Sequence, residues 1–184
     1  MRTQDNHAHA DCRHKKIGWL DYVILFYNVL IVRLHPYLSL NVHLPFEVAH
    51  PAIYPNLENG IRFIRFGERL KRMFHIKLYW ENAPAQNYGV WDLKYGQMDW
   101  TQVPDTIDLC LDTGHVMLGA KSVPEARTRL LKLLQDRGKQ VKHLHIHEND
   151  LLHDVHNPIG KVTTNDLLKT LTENRSYIFE KGFI

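Results

Sequence analysis

With 184 residues, 44% of them apolar and 23% charged, the chain is long enough for one domain with a real core and too apolar for intrinsic disorder. A net charge of +3 is too small to call for nucleic acid by itself. The two cysteines, Cys12 and Cys110, form no CxxC pair, which speaks against a disulfide framework or a thiolate zinc site and fits a reducing cytoplasm.

The outlier is histidine, with 13 residues; imidazole is the commonest protein metal ligand. The opening MRTQDNHAHADCRH is polar and lacks the apolar run of a signal peptide. Trp19 to Leu34 reads as a helix with wide apolar coverage. Its most apolar part, Val23 to Val32, is about half a bilayer span, so a buried helix is expected and no membrane segment. Pro36 favours a break, and Arg33 to Leu40 reads as irregular. Val42 to Ile53 is a β-rich run, although Pro45 argues against a regular central strand along all of it. Asn56 is placed to cap a helix running through Phe74, with Phe63, Phe66, Leu70, Met73 and Phe74 on one face.

Ile76 to Glu81 alternates: Ile76, Leu78 and Trp80 face one way, Lys77, Tyr79 and Glu81 the other. From Pro84 to Pro104 the chain is a loop or weak helix carrying Tyr88, Trp91, Tyr95 and Trp100. Ile107 to Asp112 is the next strand, with Asp108, Cys110 and Asp112 sharing a face. Ser122 and Glu125 form a capping box for a helix that stops at Gly138. Val141 to His147 is a strand with His143, His145 and His147 on one side. A short helix follows from about Asn165 to Glu173, then a last strand from Ser176 to Glu180. Alternating β and α elements predict parallel strands with helices outside. In the clearest strands the polar candidates share one side, opposite Ile, Leu, Val or aromatics. That is how a (β/α) barrel presents a site at its C-terminal strand ends.

Five segments in order, LYWENAP at 78–84, CLDTGH at 110–115, HIHEN at 145–149, DVHNPIG at 154–160 and YIFE at 177–180, resemble the xylose-isomerase-like TIM-barrel superfamily. That group includes sugar and sugar-phosphate isomerases and epimerases and the endonuclease IV type of abasic-site nuclease. The resemblance implies an α/β fold, a TIM (β/α) barrel that is incomplete, with about six βα units. It implies a single domain over residues 1–184 that lacks the first two βα units and the last helix. The open sheet edges of such an arc call for cover from a second copy or a partner chain.

The resemblance further implies that Glu81, Asp112, His145 and Glu180 hold a central divalent metal. His50, His115, Asp154, His156 and an early histidine, His9 or His7, would complete a larger cluster. A site of two glutamates, one aspartate and one imidazole is mostly oxygen and suits Mn²⁺, Mg²⁺, Co²⁺ or Zn²⁺. His143, His147 and His153 match no ligand position and read as supporting or surface residues. The expected activity is isomerisation or epimerisation of a sugar, with Glu81 and Glu180 as catalytic proton carriers. The alternatives are zinc-dependent cleavage of abasic DNA and a metal-binding barrel without activity. The loop LLHDVHNP has no arginine or lysine, which disfavours a DNA partner.

Overall fold

The computed structural model describes residues 6–10, 17–35, 38–45, 57–82 and 100–180. Six strands, β1 (Asn6–Ala10), β2 (Leu38–His43), β3 (Lys77–Glu81), β4 (Leu109–Asp112), β5 (Val141–Ile146) and β6 (Ser176–Phe179), form one sheet in chain order. Every neighbouring pair is parallel. Helices α1 (Trp19–Leu34), α2 (Leu57–Phe74), α3 (Thr113–Met117), α4 (Val123–Arg137) and α5 (Asn165–Thr172) lie between them. Sequential parallel strands joined by helices are the winding of a (β/α) barrel. Among the described residues β1 and β6 each have one neighbour, so these six strands form an open arc of such a barrel.

The period-two pattern of the strands sorts side chains to two sides. Leu40, Val42, Leu78, Trp80, Leu109, Leu111, Leu144 and Ile146 join the continuous apolar core shared with the helices. Trp80 is its largest fully buried member. Its ring meets Phe63 edge-on at 6.0 Å, and its indole N–H donates to Glu68 Oε1 at 2.9 Å. Gly67 makes this approach of α2 to β3 feasible: a Cβ there would lie 2.6 Å from Trp80 Cζ2. Ser122 caps α4, its Oγ accepting from Glu125 N at 3.4 Å, while the Glu125 carboxylate accepts from Lys121 N at 2.9 Å. Arg175 closes α5 by donating to the Leu171 carbonyl at 2.9 Å and reaches the Gly138 carbonyl beyond α4 at 3.3 Å.

Three expectations are corrected, and one strand is added. The second strand is Leu38–His43, not Val42 to Ile53, so Leu38 to Leu40 is regular, and Arg33 belongs to α1. Pairing of Ser39 to His43 with Lys77 to Glu81 sets this register, and such pairing is invisible in a local window. The polar opening contains β1, whose residues NHAHA have no apolar face to read. α1 buries only Leu25, Val29 and Val32 and exposes Trp19, Val23 and Tyr27; it covers the sheet with one face instead of being buried all round. His50, Asn56 and the aromatic stretch 83–99 lie outside the described residues. Among the described residues, no helix is long and apolar enough to cross a membrane.

A candidate metal centre at the strand ends

The C-terminal ends of β2 to β6 deliver their polar face to one place. Register aligns His43 with Glu81, Glu81 with Cys110, and Asp112 with His145; His9 stands opposite Asn41. Asn82, just past β3, locks the end of β4: its Nδ2 donates to the Asp112 carbonyl at 3.0 Å and its Oδ1 accepts from Asp112 N at 2.8 Å. Asp112 then caps α3, Oδ1 accepting from His115 N at 2.9 Å. The loop after β5 is clamped by Thr113, whose hydroxyl donates to the His147 carbonyl at 2.9 Å, and by Asn149, which donates to the Gly114 carbonyl at 2.6 Å. Farther along that loop, the buried Glu148 carboxylate accepts N–H bonds from Gly160, Lys161, Val162 and Thr163. These bonds turn the segment bearing Asp154 and His156 back over the strand ends.

At the centre, His145 Nδ1 lies 3.2 Å from Glu81 Oε1, 2.9 Å from Glu180 Oε1 and 3.9 Å from Asp112 Oδ2. The four residues thus meet, and Glu81, Asp112 and His145 are buried. Beside them His115 Nε2 lies 3.6 Å from Asp112 Oδ2 and 3.2 Å from Asp154 Oδ2. His156 spans Asp154 Oδ1 at 3.6 Å and Glu180 Oε2 at 3.3 Å. Its backbone is in the left-handed region, φ 48°, a conformation that costs a non-glycine residue free energy and clusters at functional positions.

Three residues of the site were not expected in it. His147, read as supporting or surface, is buried with Nε2 2.9 Å from Asp112 Oδ1, and its ring stacks on His156 at 4.1 Å. Its signal was the alternation His143, His145, His147, which runs one residue past the strand. Asn41 and His43 were missed because β2 was placed too late. The Asn41 amide lies 2.6 Å from His145 Nε2, and His43 Nε2 lies 3.6 Å from Glu81 Oε1. His143 stacks on Tyr79 at 5.4 Å and bonds Ser176 Oγ at 2.7 Å, a supporting role. His153 pairs with Asp150 at the surface.

The electrostatics follow from packing acids among imidazoles. Burial pushes Glu81 up, but the charge and hydrogen bonds of His145 and His43 more than reverse it, holding the carboxyl well below its usual range. Burial likewise raises Glu180, and His145 reverses it to a net lowering. Asp112 is held at about 2 despite burial, by His115 and His147. Burial alone would lower His115, yet Asp112 and Asp154 raise it to about 10. Burial pushes the Cys110 thiol up to about 12, so in the metal-free protein it stays protonated at neutral pH; with His143 and His145 it forms one of the groups whose ligand atoms lie within 4.8 Å of one another.

The donor set fits a divalent ion. One ligand atom each from Glu81, Asp112 and His145 lie within 4.8 Å of one another, as do those from Asp112, His115 and His147. Asp112 Oδ2 and Asp154 Oδ1 are buried oxygens that accept no hydrogen bond among the described residues. Buried carboxylate oxygens without donors are costly unless a cation compensates them.

No family model matches the chain, and no curated protein matches it significantly. Among solved structures, a D-tagatose 3-epimerase-like protein aligns with a TM-score of 0.49 and 17% identity, covering 97% of this chain and 82% of that one.

Proposed function

We propose that the chain is a divalent-metal-dependent isomerase or epimerase of a sugar or sugar phosphate. The observation that carries this reading is the convergence of Glu81 from β3 and Glu180 from beyond β6 on one imidazole nitrogen, at 3.2 and 2.9 Å. Two carboxylates from strands three apart, with Asp112 between them, flank a small volume from two sides. Both are held below the usual carboxylate range, so both are ionised at neutral pH, the state from which a proton acceptor starts.

An ion held by Glu81, Asp112, His145 and Glu180 would supply Lewis acidity toward a carbonyl and the neighbouring hydroxyl. One glutamate takes the proton from the carbon next to the carbonyl, leaving an enediolate. The other returns a proton to the neighbouring carbon, giving isomerisation, or to the opposite face, giving epimerisation. Glu180 is the better placed to exchange protons with solvent. It is partly exposed while Glu81 is enclosed, and His156 Nδ1 lies 3.3 Å away. Asn41, Asn82 and Thr113 hold the reacting groups in place and touch no reacting atom.

A second reading draws on the imidazole-rich neighbours His115, His147, Asp154 and His156. A second cation there fits hydrolysis of a phosphodiester, with abasic DNA as the substrate class. The segment Leu151 to Pro158 carries no arginine or lysine, which weakens it against the first. The deciding experiment combines metal analysis with assays on a keto-sugar panel and an abasic oligonucleotide. Epimerisation or isomerisation that is lost in Glu180→Gln supports the first reading. Strand cleavage without sugar turnover overturns it, and metal binding with neither activity leaves a metal-binding protein.

A further inference from the structure

α1 is apolar on both of its sides. The buried Leu25, Val29 and Val32 mark the side that faces the sheet. At about 3.6 residues per turn, Leu20, Val23, Tyr27 and Leu34 fall on the opposite side, and all four are exposed, Leu34 at 77%. Trp19, in the first turn, is exposed to the same degree. Only Asp21, Asn28 and Arg33 interrupt the run. A helix with so little polar surface belongs in a core or against another apolar phase, and the core of this protein takes only one of its sides.

α2, packed beside it, presents the opposite chemistry. Arg62, Arg65, Arg69 and Arg72 follow one another at spacings of three, four and three, and all are exposed, so they form one stripe along the helix. Arg62 pairs with Glu58 one turn back. Glu68 is turned inward, accepting from the Trp80 indole and lying 3.9 Å from Lys71 Nζ. Arg65, Arg69 and Arg72 make no ion pair among the described residues. Met73, next to the last of them, is 67% exposed. The two stripes share one surface because the helices interlock. Tyr22 meets Phe63 and Phe66 at 5.2 and 5.1 Å, and Phe26 meets Phe74 at 6.0 Å.

We propose that the outer face of α1 and α2 docks onto an anionic lipid bilayer, on which the protein lies without spanning it. The apolar stripe enters the boundary between headgroups and acyl chains, where Trp19 and Tyr27 bury a ring and keep a polar tip in water. The arginine stripe meets the anionic headgroups. A second copy would cover the apolar stripe, but a two-fold contact through this face also brings eight arginines together. The only exposed acid among the described residues of the two helices, Glu58, is already paired, so nothing offsets that charge. Nucleic acid would suit the arginines, but its charged backbone offers the exposed leucines, valine and methionine nothing to bury against. The face lies on the outer side of the helices, separate from the strand-end centre, and is independent of the reaction proposed there.

The test mixes the full chain with vesicles of phosphatidylcholine alone, or of phosphatidylcholine and phosphatidylserine in equal parts, and reads the bound fraction by sedimentation. Binding is expected to the anionic vesicles, far less to the neutral ones, and should fall as salt is raised. Arg65→Gln combined with Arg69→Gln should weaken it about 25-fold, about fivefold for each charge. Val23→Ser combined with Tyr27→Ser should weaken it about tenfold. Both pairs are exposed, so urea midpoints should match wild type. Acyl-brominated lipid should quench Trp19, read as the difference between wild type and Trp19→Phe, a readout that needs no disruptive variant. No binding to anionic vesicles, equal binding to both compositions, or binding that neither double variant weakens overturns the proposal. So does a dimer that Val23→Ser with Tyr27→Ser dissociates, or binding to a duplex oligonucleotide with none to vesicles.

Discussion

On the outer side of the sheet, Trp80, Leu109, Leu111 and Leu144 are sealed from water by the helices. One residue along each strand, on the inner side, Glu81, Cys110, Asp112 and His145 are sealed as completely. Trp80 and Glu81 are neighbours in sequence and nearly equal in exposure, 0% and 1%. The outer face is stabilised by apolar contact and by one satisfied indole N–H. The inner face gathers carboxylates whose burial is offset by imidazoles, by backbone N–H groups such as that of His115 on Asp112 and, under the proposed function, by a cation. The outer face supplies stability, and the inner face uses some of it to hold charges where chemistry needs them.

The widest separation between the two faces should come from substituting one residue on each. Glu180→Gln is isosteric and is expected to lower turnover of a responsive sugar by about 10²- to 10⁴-fold, the usual contribution of a proton carrier. Its unfolding midpoint in the metal-free state should shift far less than that of Trp80→Ala. Steady-state kinetics beside urea unfolding would check both. Trp80→Ala should cost about 3–5 kcal/mol of stability, with unfolding losing its dependence on added metal only through global destabilisation. Gly67→Ala, which pushes α2 off the Trp80 ring, should cost about 1–3 kcal/mol and leave metal stoichiometry unchanged. If Gly67→Ala abolished metal binding while stability held, the separation of the faces would be wrong.

Asn41 tunes the inner face without touching the outer one. Its amide lies 2.6 Å from His145 Nε2, and with Nδ2 toward that nitrogen the hydrogen of the neutral ring sits on Nδ1, toward Glu81 and Glu180. A half-turn of the amide offers Oδ1 instead and frees Nδ1 to ligate a cation. Asn41→Ala is therefore expected to weaken metal binding by about 10- to 100-fold, measurable by competition with a chromophoric chelator, without loss of fold.

The gentlest effect is in pH. In metal-free protein the folded pKa of Asp112 is about 2, below its ordinary 3.8, so its stabilisation is present above 3.8 and lost as pH falls through 2. For His115 the folded value is about 10, above 6.5, so its stabilisation is complete below 6.5 and lost as pH rises through 10. Chelator-treated protein should then be most stable between about pH 4 and 6.5, falling on either side by at most about 1.4 kcal/mol per pH unit for each proton involved. Urea midpoints at pH 5 and pH 9 would check it; equal midpoints would count against the protonated His115.

The strand phase at Glu81, Cys110–Asp112 and His143–His145 is legible in the residues alone, because period-two alternation is a local property of each strand. So is α4, whose Ser122 cap and Gly138 stop are written in adjacent residues. The rest follows from contacts between distant parts of the chain. Leu38 to His43 became a strand through pairing with β3, which brought Asn41 and His43 into the centre. Asn6 to Ala10 became one with no apolar face, through backbone bonds to β2. His147 left the surface reading because Gly114 makes room for its ring and Thr113 clamps its backbone. Each of these depends on a partner distant in the chain, and such contacts leave no periodic mark on the residues that make them.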